Sequence, residues 1–257
     1  MKIATFNINN INKRLSNLLE WLKAAGPEVV CLQELKAADD DFPNEAIEKA
    51  GYGAAWSGER SWNGVAILAR DSEPIVTRTH LPGDPADRQS RYIEAAVNGV
   101  LVTSLYAPNG NPQPGAKFAY KLAWMDRLIS HARGLLKFEE PLVLAGDYNV
   151  IPEPGDARYP ENWTRDALFQ PETRLKFREL INLGFTDAVR AAASDGGVYT
   201  FWDYQAGAWQ RNNGIRIDHL LLSPQAADRF RGFRVDKHVR GWEKPSDHVP
   251  VLAEIAV

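Results

Sequence analysis

Four short stretches place acidic, carboxamide or imidazole side chains where a hydrophobic run gives out: Thr5-Phe6-Asn7-Ile8-Asn9, Leu32-Gln33-Glu34, Gly146-Asp147-Tyr148-Asn149 and Ser246-Asp247-His248. A fifth, Arg216-Ile217-Asp218-His219, lies within an apolar run. The end of a strand is where a rigid sheet can hold side chains in fixed geometry above its edge. Together these stretches offer hard oxygen ligands and proton carriers, the equipment of magnesium-assisted phosphodiester hydrolysis. Neither Cys-x-x-Cys nor His-Glu-x-x-His spacing occurs, so zinc is not indicated.

Taken singly, most of these stretches have an ordinary structural reading. Gly146-Asp147-Tyr148-Asn149 has the composition of a turn, Ser246-Asp247-His248 that of an Asx-type turn before Pro250, and Glu34 that of a solvated strand end. Asp218 is different. A carboxylate inside Ile215-Arg216-Ile217-Asp218-His219-Leu220-Leu221-Leu222 costs several kcal/mol to bury without a partner, so it must have one. The joint occurrence of all five stretches is what points to a site.

The elements that must position these groups are legible in outline. Strand-like runs occupy Lys2–Ile8, Glu28–Gln33, Gly64–Ala69, Tyr92–Val97, Leu101–Tyr106, Leu142–Ala145, Ile215–Leu222 and Val249–Ile255. Several are nearly continuous in Val, Ile and Leu, the pattern of strands covered on both faces. Helical spacing appears over Asn12–Ala25, which stops at Gly26-Pro27, over Ala116–Leu136, and around Phe177, Leu180 and Ile181. This order predicts a layered α/β sandwich, with sheets inside and helices outside. No repeat, low-complexity tract or linker divides the chain, so residues 1–257 are expected to form one domain. Ala107–Gly115 and Pro152–Asp166 read as long functional loops.

Composition is that of an ordinary globular protein, at 44% hydrophobic and 25% charged residues, and it excludes a membrane-spanning chain. The N-terminus carries no signal-peptide pattern, because Asn7 and Asn9 break its short apolar strand. The lone Cys31, in Val29-Val30-Cys31-Leu32, reads as a buried small hydrophobe. A cytoplasmic location is the expectation. The net charge of −3 argues against a uniformly basic nucleic-acid binder. It does not argue against an acidic centre rimmed by Arg and Lys.

The sequence resembles the exonuclease III and abasic-endonuclease branch of the endonuclease/exonuclease/phosphatase (DNase I-like) superfamily along essentially the whole chain. The residues that carry the resemblance are Asn7-Ile8-Asn9, Leu32-Gln33-Glu34-Leu35-Lys36, Ser90-Arg91-Tyr92, Tyr106-Ala107-Pro108-Asn109-Gly110, Gly146-Asp147-Tyr148-Asn149, Thr200-Phe201-Trp202-Asp203-Tyr204, Arg216-Ile217-Asp218 and Ser246-Asp247-His248. It implies a four-layered α/β sandwich of two packed mixed β-sheets flanked by helices. It also implies a magnesium-dependent DNA-repair phosphodiesterase that cleaves 5′ to abasic sites in duplex DNA and trims 3′ ends, as a 3′→5′ exonuclease and a 3′-phosphatase/phosphodiesterase, by water attack on phosphorus, with manganese able to substitute. A monomer with no organic cofactor and no membrane partner is expected.

Residue by residue, the resemblance makes Glu34 the main metal ligand, supported by Asn7, Asn9 and Asp247, with Asp147 and Asn149 in the same shell. Asp147 would orient or deprotonate the attacking water, and Asn149 would bond the phosphate. His248, oriented by Asp218, would contact a non-bridging oxygen, and Tyr106 would touch the phosphate or assist the leaving oxygen. Phe201, Trp202, Ile215 and Ile217 would form a pocket for a base-free deoxyribose. Arg91, Lys117, Lys121 and Arg216 would contact phosphates, and Asn109 is a further substrate-binding candidate. One departure stands out: where the family often has Gly and a basic residue after the second Asn, this chain reads Asn9-Asn10-Ile11-Asn12. Two other readings remain. One is a phosphoesterase of the same fold acting on inositol phosphates or lipid head groups, for which no aromatic membrane-touching hairpin is evident. The other is a catalytically dead DNA-binding scaffold, which would be expected to lack Glu34, Asp147, Asn149 or His248; all four are present.

Overall fold

The computed structural model describes residues 1–256. Its strands are β1 (Lys2–Asn7), β2 (Val29–Gln33), β3 (Tyr52–Ser57), β4 (Val65–Arg70), β5 (Ile75–Arg78), β6 (Tyr92–Val97), β7 (Val100–Tyr106), β8 (Leu142–Asp147), β9 (Thr186–Asp187), β10 (Asp218–Leu222), β11 (Phe230–Val235) and β12 (Val251–Ile255). They form two mixed six-stranded sheets, in the orders β11-β12-β1-β2-β4-β3 and β5-β6-β7-β8-β10-β9. The helices are α1 (Leu15–Ala25), α2 (Asn44–Lys49), α3 (Ala116–Leu135), α4 (Pro171–Asn182), α5 (Ala188–Ala192) and α6 (Pro224–Ala227).

Period-two alternation builds the layers. Along β1 and β2, Ile3, Val29 and Cys31 point between the sheets, where they meet Val102, Val143 and Leu220. Their neighbours Ala4, Phe6, Val30 and Leu32 point outward, against Leu18, Trp21 and Leu22 of α1. On the far side, Leu105, Leu142 and Leu144 pack under Trp124, Met125 and Leu128 of α3 and Phe177 and Leu180 of α4. The result is the expected α/β sandwich, helix–sheet–sheet–helix, with Cys31 buried in its centre.

Some expected boundaries shift for local reasons. The C-terminal strand starts at Val251 rather than Val249, since Pro250 has no N–H to give the ladder. The run expected from Ile215 is a ladder only from Asp218; Ile215 makes isolated bridges to Ala157 and Phe201 instead. Strands β3, β5, β9 and β11 and helices α2, α5 and α6 are additional. Tyr-Gly-Ala-Ala-Trp-Ser of β3 carries too little apolar signal to stand out in a sequence. Among the described residues, no helix is long and apolar enough to cross a membrane.

The topology gathers the motifs at one edge. Parallel pairing aligns Asn7 at the end of β1 with Gln33 at the end of β2, and Tyr106 at the end of β7 with Asp147 at the end of β8. Antiparallel β10 begins there, with Asp218 opposite Asp147. Antiparallel β12 starts nearby, so Asp247 and His248 arrive at the same rim.

Candidate active site

Asn7 joins the two sheets. Its Nδ2 donates to Glu34 Oε1 at 2.9 Å and to Asp147 Oδ2 at 3.0 Å, and its own carbonyl accepts Ser246 Oγ at 2.7 Å. Asn9 takes the next position out, donating Nδ2 to Asp247 Oδ1 at 2.9 Å. Ligand atoms of Glu34, Asp147 and His248 all lie within 4.8 Å of one another.

The backbone is bent to bring these groups inward. Glu34, Lys36, Asn9 and Asn149 all have positive φ, between 47° and 52°. Asn tolerates that conformation, whereas Glu and Lys reach it only against a steric penalty, so strain concentrates at Glu34 and Lys36. Asn10, at the position where the family often has Gly, still adopts φ 85°.

The electrostatics follow from burial and neighbours. Burial by itself would raise the pKa of Glu34, but the Lys36 ammonium at 2.7 Å and hydrogen bonds from Lys36 and Asn7 hold its carboxyl below the usual range. Asp147 is pushed up to about 7, chiefly by burial and by the Asp218 and Glu34 charges, against the pull of His248 and the Asn149 amide. Burial would lower His248, yet the Asp218 carboxylate, with Asp147 and Asp247 nearby, lifts it to about 10. Tyr106 is driven well above its ordinary value by burial and the carboxylates of Glu34 and Asp147.

His248 is held from behind. Its Nδ1 lies 2.9 and 3.1 Å from the two oxygens of Asp218, leaving Nε2 to face Asp147 Oδ2 at 3.8 Å. Asn149 is fixed by its N–H on Asp147 Oδ1 and its Nδ2 on the Ala107 carbonyl, both at 2.9 Å. Arg91 lies over the Tyr106 ring at 4.8 Å and donates to the Tyr106 carbonyl at 3.2 Å. It also lines a cavity of about 380 Å³ with Tyr106, Asn109, Lys117 and the exposed Trp62.

Three of the expected substrate contacts lie elsewhere. Arg216 is 1% exposed; its guanidinium bonds Asp156 at 2.7 and 3.2 Å and Asp187 at 2.7 Å, so it braces the interior and reaches no phosphate. Lys121 is fully buried, its amine donating to the Asn109 and Asn149 carbonyls. Trp202 is also fully buried, packed with Tyr199 and Trp209 rather than lining a sugar pocket. By contrast, Phe201 is partly exposed. Its ring stands 5.0 Å from the His248 ring, packed on a small apolar cluster in which Ile215 and Ile217 are buried, at 1% and 2% exposure, so these two lie behind Phe201 instead of lining a pocket themselves. Lys117 is exposed at the rim.

Two supporting residues were not foreseen. Thr200 Oγ1 donates to Asp218 Oδ2 at 2.5 Å and accepts the Asp218 amide at 3.2 Å. Lys36 pairs with Glu34 and reaches Asn9 Oδ1 at 2.7 Å. The need of a buried carboxylate for more than one donor was the available signal for a hydroxyl beside Asp218.

The donor set fits a divalent metal ion. Glu34 and Asp147 bring carboxylate oxygens into one small, largely desolvated volume, a concentration of negative charge that a hard cation would neutralise. Glu34 and Asp147 would hold it, with Asn7 and Asp247 beside them.

Comparison with known proteins agrees. Residues 4–248 match the model of the Endonuclease/Exonuclease/phosphatase family. The chain is 33% identical over 268 residues to Exodeoxyribonuclease III of Haemophilus influenzae, with 99% of each sequence covered. It superposes on a variant of the 3′ phosphatase NExo from Neisseria bound to product DNA hairpin with a TM-score of 0.96 at 38% identity. It superposes on an AP endonuclease from Archaeoglobus fulgidus with a TM-score of 0.95 at 36% identity; both comparisons cover 100% of each chain. The chain belongs to the endonuclease/exonuclease/phosphatase family, in its exonuclease III and abasic-endonuclease branch.

Proposed function

We propose that this protein is a magnesium-dependent DNA-repair phosphodiesterase that cuts duplex DNA 5′ to abasic sites and trims 3′ ends, as a 3′→5′ exonuclease and by removing blocking groups such as a 3′-phosphate. The observation that carries this reading is the line Asp218–His248–Asp147, set beside Glu34 at one sheet edge. Nuclease and 3′-phosphatase relatives that match over the whole chain support the DNA substrate.

The bound metal ion would supply Lewis-acid polarisation of the phosphoryl group and charge neutralisation. The chain's own residues do the rest. Asp147, held by Asn7 and by the Asn149 amide, orients the attacking water and accepts its proton. His248, kept cationic by Asp218, faces the side where a non-bridging phosphate oxygen gains charge. Asn149 hydrogen-bonds the phosphoryl group as charge builds on it. As the P–O3′ bond breaks, Tyr106, beside Asp147 and Glu34, assists the leaving 3′ oxygen, which takes up a proton to become the 3′-hydroxyl. Phe201, backed by Ile215 and Ile217, offers a flat apolar surface beside His248. Such a surface accepts a base-free deoxyribose and gives an intact base nothing to bond.

The test is a set of three duplexes incubated with the protein and magnesium: one with a single synthetic abasic site, one nicked with a 3′-phosphate, and one intact. Incision 5′ to the abasic site and release of inorganic phosphate from the nick are expected, with the intact interior uncut. Phosphate release from inositol phosphates with all three duplexes untouched would overturn the reading.

A further inference from the structure

Lys121 projects from the second turn of α3 into the space beneath the active-site rim. Its side chain is fully buried, and its amine makes no ion pair among the described residues. Asp147 and Asp166 act on it only through the longer-range field. Burial lowers its pKa to about 7, and a buried amine without a carboxylate partner is an expensive way to fill space; an apolar side chain of similar length would serve the core better. What it touches accounts for it. The two carbonyls it bonds belong to Asn109, in the loop after β7, and Asn149, in the loop after β8.

Those two asparagines also meet through their side chains, Asn109 Nδ2 donating to Asn149 Oδ1 at 3.4 Å. The amine and the amide pair thus close a ring: Lys121 ties the two main chains, and the side chains tie each other. Asn149 has φ 50°, the left-handed conformation that Asn tolerates, and the Lys121 amine bonds the carbonyl of that turn. The loop fits tightly around the lysine stem. At Gly110, φ 92°, a Cβ would sit 2.7 Å from Lys121 Cδ and 3.1 Å from Ala167 Cβ.

We infer that Lys121 is a positioning residue: it locks the Asn149 peptide so that the side-chain amide stays aimed at the reacting phosphate, and it never contacts DNA itself. The inference rests on the phosphodiesterase reading above. An amide turned away by a fraction of an ångström forfeits the contact in the transition state while leaving substrate affinity intact.

The experiment uses the full chain and the abasic duplex, comparing wild type, Lys121→Met, Asn149→Ala and the double variant. Met keeps the stem and removes the donor. The expected result for Lys121→Met is a fall in kcat of about 10²-fold with little change in KM, the scale of a small misplacement far from the bond broken. The salt dependence of DNA binding should be unchanged. In the Asn149→Ala background the substitution should cost little more, because the group it positions is gone. A purely structural lysine would lower stability in both backgrounds and leave no such dependence on Asn149. Should Lys121→Met fail to fold, Lys121→Gln, which retains one amide donor, is put through the same cycle and should show a smaller kcat loss that again disappears with Asn149→Ala. Wild-type kcat in the folded variant, a loss confined to KM, or full multiplication with Asn149→Ala would each overturn the inference. A wild-type chain inert on the abasic duplex would instead refute the reading on which it rests.

Discussion

Asp218 grips His248 with both carboxylate oxygens, 2.9 and 3.1 Å from Nδ1, and neither side chain is more than 4% exposed. A buried carboxylate is thereby neutralised, and a buried imidazole is kept charged and turned toward Asp147. The folded-state pKa of His248 is raised, from 6.5 to about 10. Its stabilisation is therefore fully present below about pH 6.5 and is lost as pH climbs through about 10. In the metal-free protein, NMR titration should find His248 cationic throughout the neutral range, and Asp218→Asn should bring its pKa down.

The same pair should act as a unit in catalysis. Asp218→Asn and His248→Asn are each expected to lower kcat by about 10²-fold or more, the scale of one lost preorganised contact. The double variant should be little worse than the worse single one. Losses that multiply would mean that the two residues work independently.

Thr200 extends this chain of contacts. Replacing its hydroxyl with a methyl, Thr200→Val, leaves an oxygen of Asp218 without its 2.5 Å donor. The Ile217 and Asp218 amides also lose the oxygen they donate to, and we expect a stability loss of about 1–3 kcal/mol by denaturant unfolding, the cost of stranding buried polar groups. A kcat loss smaller than that of Asp218→Asn should accompany it.

Arg216 distinguishes a bracing role from a DNA contact. Arg216→Met strips Asp187 and part of Asp156 of their partner in a fully buried network. Breaking such a network from one side costs about 3–5 kcal/mol, so the midpoint of unfolding should fall clearly. The salt dependence of DNA affinity should not change, because no phosphate contact has been removed. Arg91→Ala and Lys117→Ala, at the rim, should reduce it instead, each by about one released counterion.

Much of this molecule is legible in its sequence. The sandwich followed from the alternation of apolar runs with amphipathic segments, and the rim followed from polar residues falling at the ends of those runs. Asp218 was legible for a physical reason: an apolar strand demanded a partner for it, and His248 is that partner. What stayed hidden was set by tertiary contacts. Nothing local separates Lys117, exposed on the first turn of α3, from Lys121 one turn on and fully buried. Likewise, Phe201 and Trp202 are adjacent aromatics that point to opposite sides of an irregular segment, one to the site and one to the core. Arg216 read as a phosphate contact because its partners, Asp156 and Asp187, are 60 and 29 residues away.

The most direct test of the central claim is cleavage of the abasic duplex by wild type and Glu34→Ala, with magnesium and then with a chelator, beside DNA binding measured by fluorescence anisotropy. Glu34 contributes a carboxylate to the donor cluster and is itself only partly buried, so its removal should spare the fold. The account predicts incision by wild type that vanishes on chelation, and a Glu34→Ala variant that binds the duplex but turns over very slowly even at saturating magnesium. Incision that persists in chelator, or Glu34→Ala turning over at the wild-type rate, would contradict it.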